Sequence, residues 1–348
     1  MATFISVVMP VRNESERIAE LLDRLLEQHY PSEFFEILVV DGRSTDSTRS
    51  IVQQYVERCP NVRLFDNPGR LSSFARNIGA KNARGDIILV VDGHCLIDYP
   101  KMFQRMSDTF EKTGADCLGR PQPLEMKNAT KVQWAIAMAR RSWLGHHPLS
   151  FIYADEPQRV PASSVAVAYR RSVFEKIGYF DERFDACEDV EFNTRIDKSG
   201  LVCFFDPQIA VRYEPRKTIS GLFYQMVRYG KGRTRLYRKH PETFSVNSFA
   251  PGLFLTGLFA GPLCCFLAFL FFQPLFWSLL MAYVGIILLY LVVVATGTIQ
   301  VVWKQRRFDL LPLLPVVFFA IHFGVGYGVV MEMLSFRRYS GASPFSPS

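Results

Sequence analysis

The chain has seven cysteines, an odd number, and no two of them form a C-x-x-C pair. Cys59, Cys95, Cys117, Cys187, Cys203, Cys264 and Cys265 are irregularly spaced, which argues against a disulfide framework or a cysteine zinc site and fits a reducing compartment. Met1 to Pro10 lack a basic stretch followed by a long apolar core, so this segment reads as a first strand and not as a signal peptide. No recognised nucleic-acid motif accompanies the net charge of +7, so nucleic acid is not expected as a partner. Charge is also nearly missing from residues 249–334, and that absence divides the chain. Residues 1–248 read as a soluble α/β domain, and a chain of 348 residues suits about two domains. The positive charge sits on the first part and its junction with the apolar remainder, where it suits anionic headgroups or a phosphorylated lipid.

The soluble part is organised around Ile87–His94. Five apolar residues in a row predict a strand buried on both faces, which delivers Asp92 and His94 to its carboxyl end. Ligands bind at that end in an open parallel α/β sheet. A carboxylate and an imidazole two residues apart can share a divalent cation such as Mn²⁺ or Mg²⁺, with phosphate oxygens completing its shell. Taken alone, the same tripeptide reads equally well as a polar turn.

Strand and helix alternate four times in the first 95 residues, which predicts a parallel sheet with helices on both faces. The expected strands are Phe4–Met9, Phe35–Val40, Val62–Phe65 and Ile87–Val91. Helices are expected over Ser15–His29, capped by Asn13 or Ser15, from Ser44-Thr45-Asp46 to about Arg58, and over Leu71–Ala83. Further helices are expected over Tyr99–Thr113 and Thr130–Leu144, with Cys117–Pro123 as an edge strand or loop. His146 and His147 are adjacent, and adjacent side chains rarely converge on one ion, so a solvated or acceptor-lining role is favoured for them. Asp189, Phe192 and Ile196 fall at helical spacing, with Glu188 and Asp189 in the first turn, where the helix dipole favours carboxylates.

Five segments in order are similar to family 2 glycosyltransferases of the GT-A fold: Val8–Glu14, Val39–Thr48, Arg76–Ala80, Ala83–Asp86 and Val91–His94. The resemblance covers about residues 4–240. It implies a nucleotide-diphospho-sugar transferase domain in which Pro10, Val11 and Glu14 line the nucleoside site. Asp41 would read the base, since a uracil N–H needs an acceptor. Arg70, Asn77 and Asp92 would bind the remainder of the nucleotide sugar, and Ala162-Ser163-Ser164 would lie under the donor sugar. Where the family usually carries Asp-x-Asp, this chain has Asp92-Gly93-His94, which resembles the succinoglycan-biosynthesis glucosyltransferase subgroup and makes His94, with Asp92, the metal ligand. The cation would neutralise charge on the departing nucleoside diphosphate. Glu188-Asp189 matches the family's Glu-Asp pair, with Asp189 as general base toward the acceptor hydroxyl and Glu188 orienting it.

Residues 217–240 predict an amphipathic helix with an apolar stripe (Ile219, Leu222, Phe223, Met226, Val227) and a dense basic run, suited to cytoplasmic headgroups. Gln225, Arg228 and Tyr229 resemble the Gln-x-x-Arg-Trp motif of processive members with Tyr in place of Trp, and Tyr229–Arg233 resembles the succinoglycan-type subgroup. By that resemblance Gln225, Arg228, Tyr229 and Arg233 would act at the donor diphosphate and acceptor sugar. Three apolar stretches follow at 249–272, 275–302 and 310–334, each longer than the ~20 residues a spanning helix needs. Lys304, Arg306 and Arg307 place the end of the second stretch in the cytoplasm, on the side of residues 1–248. For the third stretch the sequence leaves a crossing or a re-entrant helix open, because a crossing would put Arg337-Arg338 outside.

The expected organisation is a catalytic domain at 1–215, a basic interface segment at 216–248 and a transmembrane region at 249–348. The expected protein is a multi-pass inner-membrane, metal-dependent, inverting glycosyltransferase with a cytoplasmic catalytic domain. It would move one sugar from a UDP-sugar, a UDP-hexose in first place, to a polyprenyl-diphosphate-linked saccharide. The rival readings are a polyprenyl-phosphate sugar transferase, a processive polysaccharide synthase and a membrane scaffold without turnover.

Overall fold

A computed structural model describes residues 3–145, 151–152 and 154–335. His146 and His147 lie outside these residues, as do Arg337 and Arg338. In chain order the elements are β1 (Ile5–Val11), α1 (Ile18–Leu26), β2 (Phe35–Asp41), α2 (Thr48–Arg58), β3 (Val62–Asp66), α3 (Ser72–Asn82) and β4 (Ile87–Val90). There follow β5 (Cys95–Leu96), α4 (Met102–Thr113), β6 (Cys117–Gly119), α5 (Lys131–Arg141), β7 (Gln158–Arg159), α6 (Ala162–Val165) and β8 (Ala166–Arg170). The rest are α7 (Arg171–Ile177), α8 (Glu188–Lys198), β9 (Cys203–Phe205), β10 (Arg212–Tyr213), α9 (Ile219–Lys239), α10 (Val246–Phe271), α11 (Gln273–Gln305) and α12 (Leu313–Leu334). The chain divides into two compact units, one from residues up to 125 and 151–214, the other from residues 126–145 and 215–335.

In the first unit, eight strands form one sheet in the order β3-β2-β1-β4-β8-β6-β9-β7. The first four are mutually parallel, as the alternation of strand and helix predicts. β8 then joins β4 antiparallel, so the sheet is mixed rather than parallel throughout. β6 lies between β8 and β9, so Cys117–Gly119 is an interior strand, not an edge. This difference matters below, because Arg120 follows it and is buried. Every residue of β2 and β4 is buried, as continuous apolar runs require when helices cover both faces.

The amino edge of the sheet carries a buried ionic cluster. Glu36 is fully buried on β2. It accepts from Ser6 Oγ (2.8 Å), the Arg84 main-chain N–H (2.7 Å), Arg84 Nε (3.0 Å) and Arg63 Nη1 (3.0 Å). Burial works against its charge, but these donors more than offset it and hold its carboxyl below the ordinary range.

The loop after β1 does not use Asn13 or Ser15 as helix caps. Asn13 Oδ1 accepts from Thr45 N (2.8 Å), Glu14 N donates to Thr48 Oγ1 (2.8 Å), and Ser15 N donates to Asp46 Oδ2 (3.2 Å). The Asn13 side chain and the main-chain N–H groups of Glu14 and Ser15 stitch the β1 loop to the β2 loop, and α1 starts at Ile18 without a side-chain cap.

The second unit holds α5 and the four C-terminal helices α9–α12. α10, α11 and α12 are each long and apolar enough to cross a membrane. Their burial differs: half of the most apolar stretch of α12 is buried, against 17% and 6% in α10 and α11. α9 covers much of α12, and Leu222, Met226 and Val227 of its apolar stripe are buried.

Candidate active site

The carboxyl edge of β3-β2-β1-β4 gathers most of the expected site. Main-chain bonds from Val91 N to Val8 O (3.0 Å) and Gly93 N to Pro10 O (3.3 Å) carry the Asp92–His94 turn alongside the end of β1. A Cβ on Gly93 would stand 2.8 Å from Val11 Cγ1 and 3.0 Å from Glu14 Cγ, so only glycine lets the two loops approach this closely. The result places Pro10, Val11 and Glu14 directly against the Asp92–His94 turn. His94 Nδ1 lies 3.3 Å from Glu14 Oε1.

Asp41 ends β2 at the same edge and is fully buried. Its carboxylate accepts from Ser44 N (3.1 Å), Ser44 Oγ (2.6 Å) and Arg49 Nη1 (3.2 Å), the arrangement of a carboxylate that closes its own turn. Arg70 is exposed in the neighbouring 67–70 turn, which is tied to β2 by Asn67 N to Asp41 O (2.8 Å).

Helix α3 explains why Arg76-Asn77-x-Gly79 reads as a motif. Gly79 packs against Val8, so this face of α3 lies flat on β1. Asn77 is buried, and all its polar atoms are committed: Nδ2 donates to Phe180 O and Glu182 Oε1, and Oδ1 accepts from Phe180 N, each at 2.9 Å. Ser73 Oγ donates to Phe184 O (3.0 Å). One face of α3 thus holds the 180–184 loop that feeds α8. Asn77, expected at the nucleotide sugar, acts here as a clamp on that loop.

Arg76 is the residue that joins the two halves of the site. Its Nη2 lies 3.4 Å from Asp92 Oδ1 and 3.4 Å from Glu188 Oε1, and its guanidinium carbon sits 5.5 Å from the Phe180 ring centroid. Burial raises the Glu188 carboxyl above its ordinary range despite this cation. Asp92 goes the other way: desolvation is outweighed by Arg76, His94 and Arg120, and its carboxyl is lowered. Asp189, on the next position of the helix, is half-buried, and its Oδ1 accepts from Val190 N (2.8 Å). Cys187 precedes the pair in a left-handed conformation (φ 61°), a strained geometry for a residue with a Cβ.

α8 is fixed at its far end as well. Asp197 accepts from Ala162 N (2.6 Å) and Ser163 N (3.0 Å), so the Ala162-Ser163-Ser164 turn is held by the helix that carries Glu188 and Asp189. Phe180, Phe192, Phe174 and Tyr169 pack beneath it, with Phe180 stacked on Phe192 at 4.3 Å.

Arg120 was not anticipated. It is buried, its Nη2 donates to Val90 O (3.4 Å), and its Nε and Nη1 have no hydrogen-bond partner among the described residues. Its charge helps to lower the Asp92 carboxyl. The only signal available was its place within Cys117–Pro123, which was expected as an edge strand or loop.

Gln225, Arg228, Tyr229 and Arg233 lie in the second unit on consecutive turns of α9, where Gln225 Nε2 donates to Tyr229 Oη (3.3 Å). Arg228 and Tyr229 are exposed.

The Asp92 and His94 side chains are 42% and 46% exposed. No group of three or more His, Cys, Asp or Glu side chains converges to hold a metal among the described residues. These donors therefore fit a hard or borderline cation that takes its remaining ligands from phosphate and water, and do not fit an all-protein cage.

Comparison with known proteins agrees with this architecture. The glycosyl transferase family 2 model matches residues 6–178, and the glycosyl transferase family group 2 model matches residues 130–298. A dolichyl N-acetyl-α-D-glucosaminyl phosphate 3-β-D-2,3-diacetamido-2,3-dideoxy-β-D-glucuronosyltransferase from Methanococcus voltae is 26% identical over 93% of this chain and 95% of its own. The succinoglycan biosynthesis protein ExoA of Rhizobium meliloti is 29% identical over 67% of this chain and 70% of its own. Among solved structures, a Pyrobaculum calidifontis mannosyltransferase in complex with GDP-Man and Mn²⁺ has the same fold. It superposes with a TM-score of 0.57 at 17% identity, over 96% of this chain and 88% of that one. A mixed α/β sheet of the GT-A type, the ordered motifs at its carboxyl edge and these two overlapping matches, which together run from residue 6 to residue 298, make the chain a member of glycosyltransferase family 2.

Proposed function

We propose that this glycosyltransferase moves a single sugar from a UDP-hexose to a polyprenyl-diphosphate-linked saccharide, with inversion at the anomeric carbon. The observation that carries the reading is the Arg76 bridge, which holds the nucleotide-edge carboxylate Asp92 and the helix carboxylate Glu188 on one guanidinium. A donor site and an acceptor site joined at 3.4 Å on each side suit direct displacement, in which no covalent enzyme intermediate is needed.

Asp189 is assigned as the general base. Of the adjacent pair it is the more exposed carboxylate, whereas Glu188 is buried against Arg76. Asp189 takes the proton of the acceptor hydroxyl as that oxygen bonds to the anomeric carbon. The bond from that carbon to the diphosphate oxygen breaks, and the electron pair leaves with UDP. Asp92 and His94 would hold a divalent cation, Mn²⁺ or Mg²⁺, which stabilises the negative charge on the leaving group. Glu14 would orient the His94 ring through Nδ1. Pro10, Val11, Glu14 and Arg70 would line the nucleoside end. Asp41 would shape it through Ser44 and Arg49, a base edge reaching its carboxylate only by displacing one of these. Gln225, Arg228, Tyr229 and Arg233 are assigned to the lipid-linked side, where cations suit phosphates and tyrosine suits a sugar face.

The lipid-linked acceptor and cytoplasmic orientation rest on the apolar helices and their basic flanks. The relatives' names, one a transferase to a dolichyl-linked sugar and one a succinoglycan biosynthesis protein, support the same class of acceptor. The test is nucleotide release by purified protein with native lipid, across UDP-, GDP- and TDP-sugars with Mn²⁺, Mg²⁺ or EDTA. Metal-dependent UDP release from one donor, absent in Asp189→Asn, is expected. Silence across the panel, with lipid acceptor verified present, would refute the UDP-hexose assignment in favour of an unusual donor or a scaffold, and a ladder of products would refute single transfer.

A further inference from the structure

We infer that α12 is not a third membrane crossing but a helix lying at the catalytic-side membrane surface, packed across the base of the α10–α11 hairpin. The inference rests on the membrane reading above in one respect, that α10 and α11, which meet at Phe272, cross the bilayer as a hairpin.

The levels of the hairpin are set by its internal pairs. Tyr283 Oη donates to Leu258 O (3.1 Å), and Phe254 stacks on Tyr290 at 4.4 Å. Positions 254 and 290 are therefore level with each other, close to the ends of the hairpin that carry Val246 and Lys304. α12 stays at that level. Phe319 and His322 meet Tyr290, the latter through a 3.0 Å bond in which Tyr290 Oη donates to His322 Nδ1. Phe323 meets Phe254 (6.2 Å), Gly326 abuts the Pro251 carbonyl, and Val329 abuts Gly252. Over the ten-residue advance from Phe319 to Val329, about 15 Å of helix, the contacts stay level with positions 251–254 of α10, first on Tyr290 of α11 and then on α10 itself. A helix running alongside the hairpin would shift by about as many positions as it advanced.

The remaining neighbours of α12 agree. α9 follows it in the same direction: Met226 meets Gly324, Val227 meets Gly328, Arg235 pairs with Glu332 (3.0 and 3.1 Å), and Arg238 Nη2 donates to Glu332 O (2.7 Å). A Cβ on Gly230 or Gly328 would strike the backbone of the other helix, so the two are in main-chain contact. α9 carries Arg228, Lys231, Arg233, Arg235, Arg238 and Lys239 and no acidic residue. A helix with six cations does not sit in hydrocarbon, and α12 cannot sit there without it. Near the middle of α12, Leu144 O accepts from His322 Nε2 (3.1 Å), beside the basic end of α5. α11 is 33 residues long, about 13 more than a crossing needs, and its buried residues Val294, Gly297, Thr298, Val301 and Val302 all lie from residue 294 onward, in its C-terminal part. That projecting part is the wall against which α5 packs.

The consequence is a chain with one membrane hairpin and both Leu313 and Ser335 on the catalytic side. Cysteine mapping in the full chain tests it, with Cys59→Ser and Cys264→Ser as background. Gln53→Cys on α2 marks the catalytic side, Gln273→Cys marks the hairpin tip, and Ser335→Cys reports the end of α12. A membrane-impermeant maleimide should label Ser335→Cys from the same side as Gln53→Cys and opposite to Gln273→Cys. Labelling of Ser335→Cys with Gln273→Cys overturns the inference. Labelling of Gln273→Cys with Gln53→Cys instead removes the crossing of the hairpin itself, a separate failure. An epitope appended after Ser348 gives a second readout independent of thiol reactivity: antibody access from the side of Gln53 supports the inference, and access from the other side refutes it.

Discussion

Replacing Asn77 with alanine separates a clamp from a ligand contact. The wild-type amide makes three hydrogen bonds of 2.9 Å, two with the main chain of Phe180 and one with Glu182. At roughly 1 kcal/mol for each, with buried groups of Phe180 left partly unpaired, the loss is about 3 kcal/mol. A domain of this size responds by about 2–4 °C per kcal/mol, so Tm should fall by ~6–12 °C. The 180–184 loop leads into Glu188, and misplacement of about 1 Å at a reacting group costs on the order of 100-fold, so kcat/KM should fall ~10–100-fold with either substrate varied. The assay is thermal unfolding of the purified protein beside initial rates with donor and acceptor varied in turn. Asn77→Asp should be worse than alanine, because it keeps the acceptor for Phe180 N but sets a carboxylate against Glu182. If Asn77 instead bound the nucleotide sugar, the alanine variant would raise donor KM alone and keep the wild-type Tm. That result would refute the clamp.

Asp189→Asn should lower kcat by about 10²–10⁴ while donor affinity, read by calorimetry, stays within about twofold. His94→Ala should raise the metal concentration for half-maximal activity about tenfold or more, as expected where a histidine is one of few protein ligands. Glu36 has a lowered carboxyl in the folded state, so its stabilisation is present above the ordinary glutamate value of 4.5 and is lost as pH falls through the folded value. Glu36→Gln should therefore cost about 3–5 kcal/mol at neutral pH and flatten the acid limb of a Tm-against-pH curve; an unchanged acid limb would remove Glu36 as its source. Gly328→Val should drive α9 from α12 and lower thermal stability in detergent by about 1–3 kcal/mol or more, whereas Gly257→Ala, with open space around it, should be silent.

The strands and helices of the first 95 residues were legible because each carries its period and its stop signal. β4 reads as five apolar residues ending at Asp92, and its four assigned residues are all buried. Caps were misread at Asn13 and Ser15: the Asn13 side chain accepts from the neighbouring loop, the Ser15 main-chain N–H donates to it, and a polar residue beside a helix start looks alike in either setting. The position of β6 was not legible at all. Three residues cannot declare which strands flank them, and Arg120 passed unnoticed for that reason. Asn77 stood within a recognised motif, but a motif gives residue order and not hydrogen-bond partners. For α12 hydropathy was a poor guide, because a helix packed among helices and one bathed in lipid share the same composition.

The Glu36 cluster lies at the opposite end of the strands from the Asp92–His94 turn. One margin of the sheet spends its charge on cohesion: Glu36 is enclosed by Ser6, Arg63 and Arg84. The other margin keeps carboxylates and imidazole half-open, at some expense in stability, so that they can meet a substrate. Diversity can then accumulate in the loops after β1, β2 and β4 while the amino margin carries the burden of keeping the sheet together. A laboratory library confined to those loops should retain folded members at high frequency, and the same mutational load placed around Glu36 should not.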